Sequence, residues 1–252
     1  MFAGKNALII GGSGGIGKEL SRQLSSSGAS VVVQGAHDSS DFSRFIDELQ
    51  TLADAAGANA NVRKVVAYFR VPDIQTTVKD VLESWLSAAD ILCVCFGPFL
   101  QKSLVSMTLD DWLQMAVLNY MLPGYCTSIA LQHMDRKKWG RILLFGGTRT
   151  FSLNAFRTNA AYAAAKTAVC SLVRSVAETY AMSGITCNAL LPGFTDTQYL
   201  DERTRSILSG KMPGGKLISP VRMAEFGMFL LESPELNGVL FNADCGWSPE
   251  TK

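Results

Sequence analysis

Tyr162 and Lys166 stand four residues apart in the stretch AAYAAAKTA, so a helix would place both on one face, one turn apart. A phenol ordinarily titrates at about pH 10, and exchanging its proton at neutral pH requires a fixed positive charge beside the oxygen. Lys166 is the candidate charge, and the alanines around the pair would let a ligand come close. The chemistry would be general acid or base catalysis at an oxygen atom.

A second group lies near the chain start, in IIGGSGGIG at residues 9–17. A β-branched run ends at Ile10, glycines fill most of the next seven positions, and Ile16, Leu20 and Leu24 then recur every four residues. Strand, glycine turn and helix in that order make a phosphate cradle. Glycine permits positive backbone angles and removes the Cβ that would block a phosphate, while the free N–H groups of the helix start bind the anion. Gly11, Ser13, Gly14, Gly15, Ile16 and Gly17 are the candidate contacts, and a dinucleotide pyrophosphate is the ligand they suit.

The elements that must position these groups follow from hydrophobic spacing. Short β-branched runs predict strands at Ala7–Ile10, Ser30–Gln34, Val62–Phe69, Ile91–Cys95, Ile142–Phe145, Thr186–Leu190 and Val239–Asn242. Between them Phe42, Phe45, Ile46, Leu49 and Leu52, then Ile74, Val78, Leu82 and Trp85, have helical period. Thr108 followed by Leu109-Asp110-Asp111-Trp112 predicts a capped helix start. This alternation implies an α/β fold: one doubly wound, Rossmann-type parallel sheet of about seven strands with helices on both faces. A single domain over residues 1–252 is expected, with the less regular residues 195–220, containing Met212-Pro213-Gly214-Gly215, as a candidate lid.

Composition narrows the function classes. With 23 basic and 22 acidic residues and no long basic run, the chain offers no footprint for nucleic acid or anionic lipid. No apolar run reaches membrane-spanning length and no leader-like segment opens the chain, so a cytoplasmic protein is expected. The 6 cysteines lie in apolar segments and fit reduced thiols; with 2 histidines, a metal site is not expected.

Gly11, Gly15 and Gly17 match a T-G-x-x-x-G-x-G loop, with Ile10 where threonine usually stands, and Tyr162 and Lys166 match Y-x-x-x-K. Asn119 in WLQMAVLNY, and NALLPGFTDT at residues 188–197, follow in the same order. Over nearly its whole length the chain thus resembles the short-chain dehydrogenase/reductase family. The resemblance implies an NAD(P)(H)-dependent oxidoreductase that reduces a carbonyl, or oxidises the matching alcohol, by hydride transfer. It makes Tyr162 the proton donor, Lys166 the group that tunes it and holds the ribose, and Asn119 the organiser of a water-linked proton path. Pro192 and Gly193 would shape the nicotinamide pocket, Thr195 and Thr197 would bind the amide or phosphates, and Gly97 would line the cofactor. The family implies a homo-oligomer, tetramer or dimer, acting on a small carbonyl or alcohol. A 3-oxoacyl thioester, as for 3-oxoacyl-acyl-carrier-protein reductases, is one candidate.

Several positions depart from the family. Its carbonyl-holding serine ends the fifth strand, but RILLFGGTRT puts Gly147 there. Thr148 is the nearest hydroxyl and the first candidate for that role, with Thr150 and Ser152 as alternatives. Val94-Cys95-Phe96-Gly97 replaces an asparagine-rich turn, and Ala67 or Tyr68 replaces an aspartate that meets the adenine. After the second strand VVVQGAHDSS has no acid at the end position, where a ribose-binding carboxylate would favour NAD(H): Gly35, Ala36 and His37 come first and Asp38 lies further along. His37, Ser39 and Ser40 offer donors to a 2′-phosphate, so NADP(H) is favoured and NAD(H) stays open. The missing serine also leaves a second reading, a catalytically impaired dinucleotide-binding regulator or interaction protein.

Overall fold

The computed structural model describes residues 1–249. Its seven strands are β1 Asn6–Ile10, β2 Ser30–Gly35, β3 Val62–Val66, β4 Ile91–Val94, β5 Gly140–Phe145, β6 Ile185–Pro192 and β7 Leu240–Ala243. They form one parallel sheet in the order β3-β2-β1-β4-β5-β6-β7. The order reverses between β1 and β4, which opens a crevice at the carboxyl ends of those two strands.

Side chains alternate across the sheet, and the core divides accordingly. Leu8 and Ile10 of β1 face a cluster that includes Leu82, Leu122, Val169 and Val173. Ala7 and Ile9 face the other, with Leu20, Leu24, Leu49 and Met223. The first cluster is covered by α3 Ile74–Thr77, α4 Glu83–Leu86, α6 Leu122–Lys137 and α7 Ala160–Tyr180. The second is covered by α1 Gly15–Ser26, α2 Ser40–Ala55 and α9 Pro220–Glu232. Two further helices, α5 Leu109–Ala116 and α8 Glu202–Ser209, lie near the carboxyl-end loops in sequence.

Most strand limits agree with the hydrophobic pattern to within two residues, but β3 ends at Val66 where the apolar run extends to Phe69. Ala67 still donates its N–H to Gly35 (2.9 Å), after which the chain turns into a short 3-10 segment at Val71–Asp73 with Pro72 in its first turn. The helix expected around Val78 and Leu82 contains a π-turn, Val78–Leu82. The Thr108 start has a full capping box: the Thr108 hydroxyl accepts the Asp111 N–H (3.2 Å) and the Asp111 carboxylate accepts the Thr108 N–H (2.8 Å). A second π-turn, Val117–Met121, joins α5 to α6. Pro123 explains its place, because it has no N–H to offer the carbonyl of Asn119 four residues back. Among the described residues no helix is long and apolar enough to cross a membrane.

Candidate active site

The glycine loop is held by its own backbone and by one glutamine. Gly11 has φ +76°, and a Cβ there would stand 2.9 Å from the Phe96 nitrogen. Gly17 is closer still, since its Cβ would meet the Gly11 carbonyl oxygen at 2.3 Å. Buried Gln34 accepts the Gly11 N–H (2.8 Å) and donates to the Ala67 carbonyl (2.7 Å), tying the loop to the ends of β2 and β3. Helix α1 starts with no capping side chain from Gly14, and the first of its N–H groups, that of Gly15, donates to Gln198 Oε1 (3.1 Å). Ser13 lies against Gly35, where a Cβ would be 2.8 Å from its hydroxyl, and half-buried Ile16 packs on the core.

At the end of β2 there is no carboxylate on Ala36, and the exposed His37 ring stacks on Tyr68 with centroids 5.4 Å apart. Ser39 accepts the Phe42 N–H (3.1 Å) and so caps α2. Asp38 lies further out and is paired with Lys64 at 2.5 Å.

The titratable residues converge beyond β4 and β5. Lys166 is buried on α7 and donates to the Phe145 carbonyl at 2.9 Å. Its ammonium stands 5.9 Å from the centre of the Tyr162 ring. Asn119, in the second π-turn, donates to the Pro98 carbonyl (3.0 Å), while its buried Oδ1 has no partner. Oδ1 and the Lys166 ammonium meet at Gly97, where a Cβ would be 2.5 Å from one and 2.8 Å from the other. A side chain at position 97 would separate these two polar ends. Phe99 sets its edge against Tyr162, ring centroids 5.0 Å apart.

Burial acts oppositely on the two titrating groups. It pushes the Tyr162 phenol up to about 12 and pulls the Lys166 ammonium down to about 8. The neighbouring thiols of Cys95 and Cys170 are themselves raised by burial and stay neutral.

The hydroxyls after β5 do not gather at Tyr162 as expected of Thr148. Thr148 donates to the Asp244 carboxylate (2.8 Å), on the loop that follows β7. Thr150 is buried and bonded to the carbonyl and the N–H of Gly147 (2.7 and 3.0 Å). Ser152 accepts from Asn154 in the exposed loop (2.9 Å). The position on this loop that faces Tyr162 is Gly147: a Cβ there would be 3.5 Å from the phenol oxygen. The Pro192-Gly193 turn continues β6, with the Gly193 N–H donating to Ala243 (2.9 Å). Thr195 donates to the Gly193 carbonyl (3.0 Å), and the Thr197 methyl would lie 3.5 Å from a Cβ on Gly15.

Gln34, Asp244 and Gln198 belong to this neighbourhood and were not singled out by motif. Gln34 carries a readable signal, a polar residue at an inward position of the valine run that forms β2. The others come from distant loops, and no local spacing marks them.

These residues suit a nicotinamide dinucleotide on two counts: a strand-to-helix turn packed so closely on itself that neither Gly11 nor Gly17 has room for a Cβ, and a buried Asn119 oxygen left with acceptor capacity beside Lys166. Comparison with known proteins agrees. The short chain dehydrogenase family profile matches residues 5–207. D-beta-hydroxybutyrate dehydrogenase of Cupriavidus necator is 26% identical over 98% of this chain and 99% of its own. A 3-oxoacyl-acyl-carrier-protein reductase of Vibrio harveyi is 32% identical over 92% of this chain and 91% of its own. Among solved structures, a short chain dehydrogenase/reductase family protein superposes with TM-score 0.83 at 24% identity, covering 97% of each chain. The short-chain dehydrogenase/reductase of Serratia marcescens BCRC 10948 superposes with TM-score 0.79 at 26% identity, covering 97% of this chain and 98% of that one. Glycine cradle, tyrosine-lysine pair, sheet order and sequence relationship all lead to one assignment: this chain belongs to the short-chain dehydrogenase/reductase family, oxidoreductases that interconvert alcohols and ketones with NAD(P)(H).

Proposed function

We propose that the chain is an NADP(H)-dependent ketone reductase in which Tyr162 is the only side-chain hydroxyl acting on the substrate oxygen. The observation that carries this is the convergence of Tyr162, Lys166 and the unpartnered Asn119 oxygen on Gly97 and Gly147. When bound, the dinucleotide supplies the hydride for the carbonyl carbon, or takes it in the reverse direction. Tyr162, kept protonated at neutral pH by its burial, gives its proton to the carbonyl oxygen as that oxygen gains charge. Lys166 stabilises the phenolate left behind, and its anchorage on the Phe145 carbonyl fixes its position. Asn119 Oδ1 holds a water that returns a proton along the Lys166 side of the site. Thr148, bonded to Asp244, supports the loop, and Pro192, Gly193, Thr195 and Thr197 shape the nicotinamide end.

Selection of the 2′-phosphate rests on Ala36, on the donors of His37 and Ser39, and on the neutralisation of Asp38 by Lys64. Tyr68, stacked on His37, supports an adenine contact made by a ring instead of a carboxylate. Titration by nicotinamide fluorescence tests this: NADPH is expected to bind at least about tenfold more tightly than NADH, as one charge-assisted contact allows. Tighter binding of NADH would overturn the NADP(H) assignment.

A homo-oligomer is supported by the exposed Trp112, Leu113, Tyr120, Met121 and Tyr125 along the run from α5 to α6. Light scattering on the purified protein is expected to show more than one chain per particle, and a monomer at micromolar concentration would refute it. Buried, unpaired Cys93, Cys126 and Cys187 support a reducing compartment such as the cytoplasm. The substrate we propose is a small ketone or 3-oxoacyl thioester, walled by Phe99. A second reading, a dinucleotide-responsive regulator, is favoured by Gly147 alone and is refuted by turnover of any member of a ketone panel.

A further inference from the structure

The loop after β6 reaches back across the chain and sits on the glycine loop. The Gly15 N–H, at the first residue of α1, donates to Gln198 Oε1 at 3.1 Å. Tyr199 stands beside it, its hydroxyl so close to Gly14 that a Cβ there would be 1.9 Å away. The Gln198 amide nitrogen is the next neighbour, 2.6 Å from the same point. The segment is braced: Thr195 bridges to Ile218, the Asp196 N–H donates to the Ile218 carbonyl (2.9 Å), and Arg205 pairs with Asp196 (2.7 Å). Asp201 then caps α8 by accepting the Thr204 N–H at 2.6 Å.

A backbone N–H carries one hydrogen and makes one well-aligned bond. A first-turn N–H is also among the donors a pyrophosphate uses at a helix start. We infer that Gln198 is an affinity-setting residue for the dinucleotide: its carboxamide oxygen holds the Gly15 N–H that a phosphate oxygen takes on binding, so it must be displaced. The phosphate prevails because its bond is charge-assisted and the amide's is not. The cost of displacement weakens binding by roughly the factor of one neutral hydrogen bond, about three- to tenfold. Tyr199 moves with Gln198, since its hydroxyl covers Gly14 from the same turn.

This inference rests on the dinucleotide reading of the glycine loop, and binding measurements separate the two. Gln198 is exposed, so its variants are expected to fold like the parent chain. Isothermal titration with ADP-ribose, which carries the pyrophosphate without the nicotinamide, is expected to show Gln198→Ala binding about fivefold more tightly than the parent. Gln198→Glu, which sets a carboxylate on the same N–H and against the phosphates, is expected to bind about tenfold or more weakly. Unchanged or weaker binding by Gln198→Ala overturns the proposal, because it makes Gln198 a bystander or a clamp. If the parent chain binds neither ADP-ribose nor NADPH, the dinucleotide reading itself fails.

Discussion

A Tyr162→Phe enzyme is expected to reduce ketones about 10²- to 10⁴-fold more slowly while binding NADPH within about tenfold of the parent. The change removes one oxygen from a ring wedged between Phe99 and the backbone of Gly147, so little else in the site should move. Single-turnover hydride transfer, followed by loss of nicotinamide absorbance, separates chemistry from binding. A parent-like rate would show that another group protonates the product. The pH profile supplies a second check. With the phenol at about 12, the acid needed for reduction is present throughout the neutral range. The charge on Lys166 is lost as pH rises through about 8, so the parent enzyme's reduction rate should fall on that alkaline limb. Tyr162→Phe has no phenolate to stabilise, and its residual rate is expected to lose most of that limb.

The fold was largely legible because strand and helix periods differ and the chain keeps them apart. Ile91 to Val94 and Ile142 to Phe145 read as buried strands because both faces of a covered parallel sheet are apolar. The run from Val62 to Phe69 misleads at its end for the same reason. Ala67 and Phe69 are buried by packing outside the ladder, so hydrophobicity persists after strand pairing stops at Val66. In the site, Tyr162 and Lys166 are readable because one helix fixes their relation. Asn119 is placed by a π-turn that Pro123 helps to impose, which motif spacing does not reveal. Thr148 illustrates the limit: nearness in sequence to the family's serine position suggested it, but its hydroxyl is drawn to Asp244, 96 residues away. Gln198 escapes a local reading similarly, since its bond to Gly15 spans 183 residues.

Position 147 itself gives the other large effect. Gly147→Ser is expected to raise kcat for ketone reduction by about 10- to 100-fold, with NADPH affinity unchanged. The family resemblance puts a carbonyl-holding hydroxyl at this point, and the geometry permits one. A Cβ on Gly147 would contact Tyr162 Cε1 at 3.4 Å, and Thr150 Cγ2 and the phenol oxygen at 3.5 Å, which is ordinary packing. Its backbone lies outside the positive-φ region, so a serine adds no strain there. The new hydroxyl would give the developing oxyanion a second donor beside Tyr162, and a preorganised donor of that kind is worth about 10²- to 10³-fold where it has been removed. A donor grafted without evolved support recovers part of this. Gly146→Ser is the matched control, because its Cβ would press on Leu191 Cγ at 2.9 Å and is expected to cost stability without a gain in rate. A lower rate in Gly147→Ser, with folding and NADPH binding intact, would instead mean that the substrate occupies the space beside the phenol. Glycine would then select for a ketone bulky on that side, and the rate loss should shrink as the panel moves to smaller ketones.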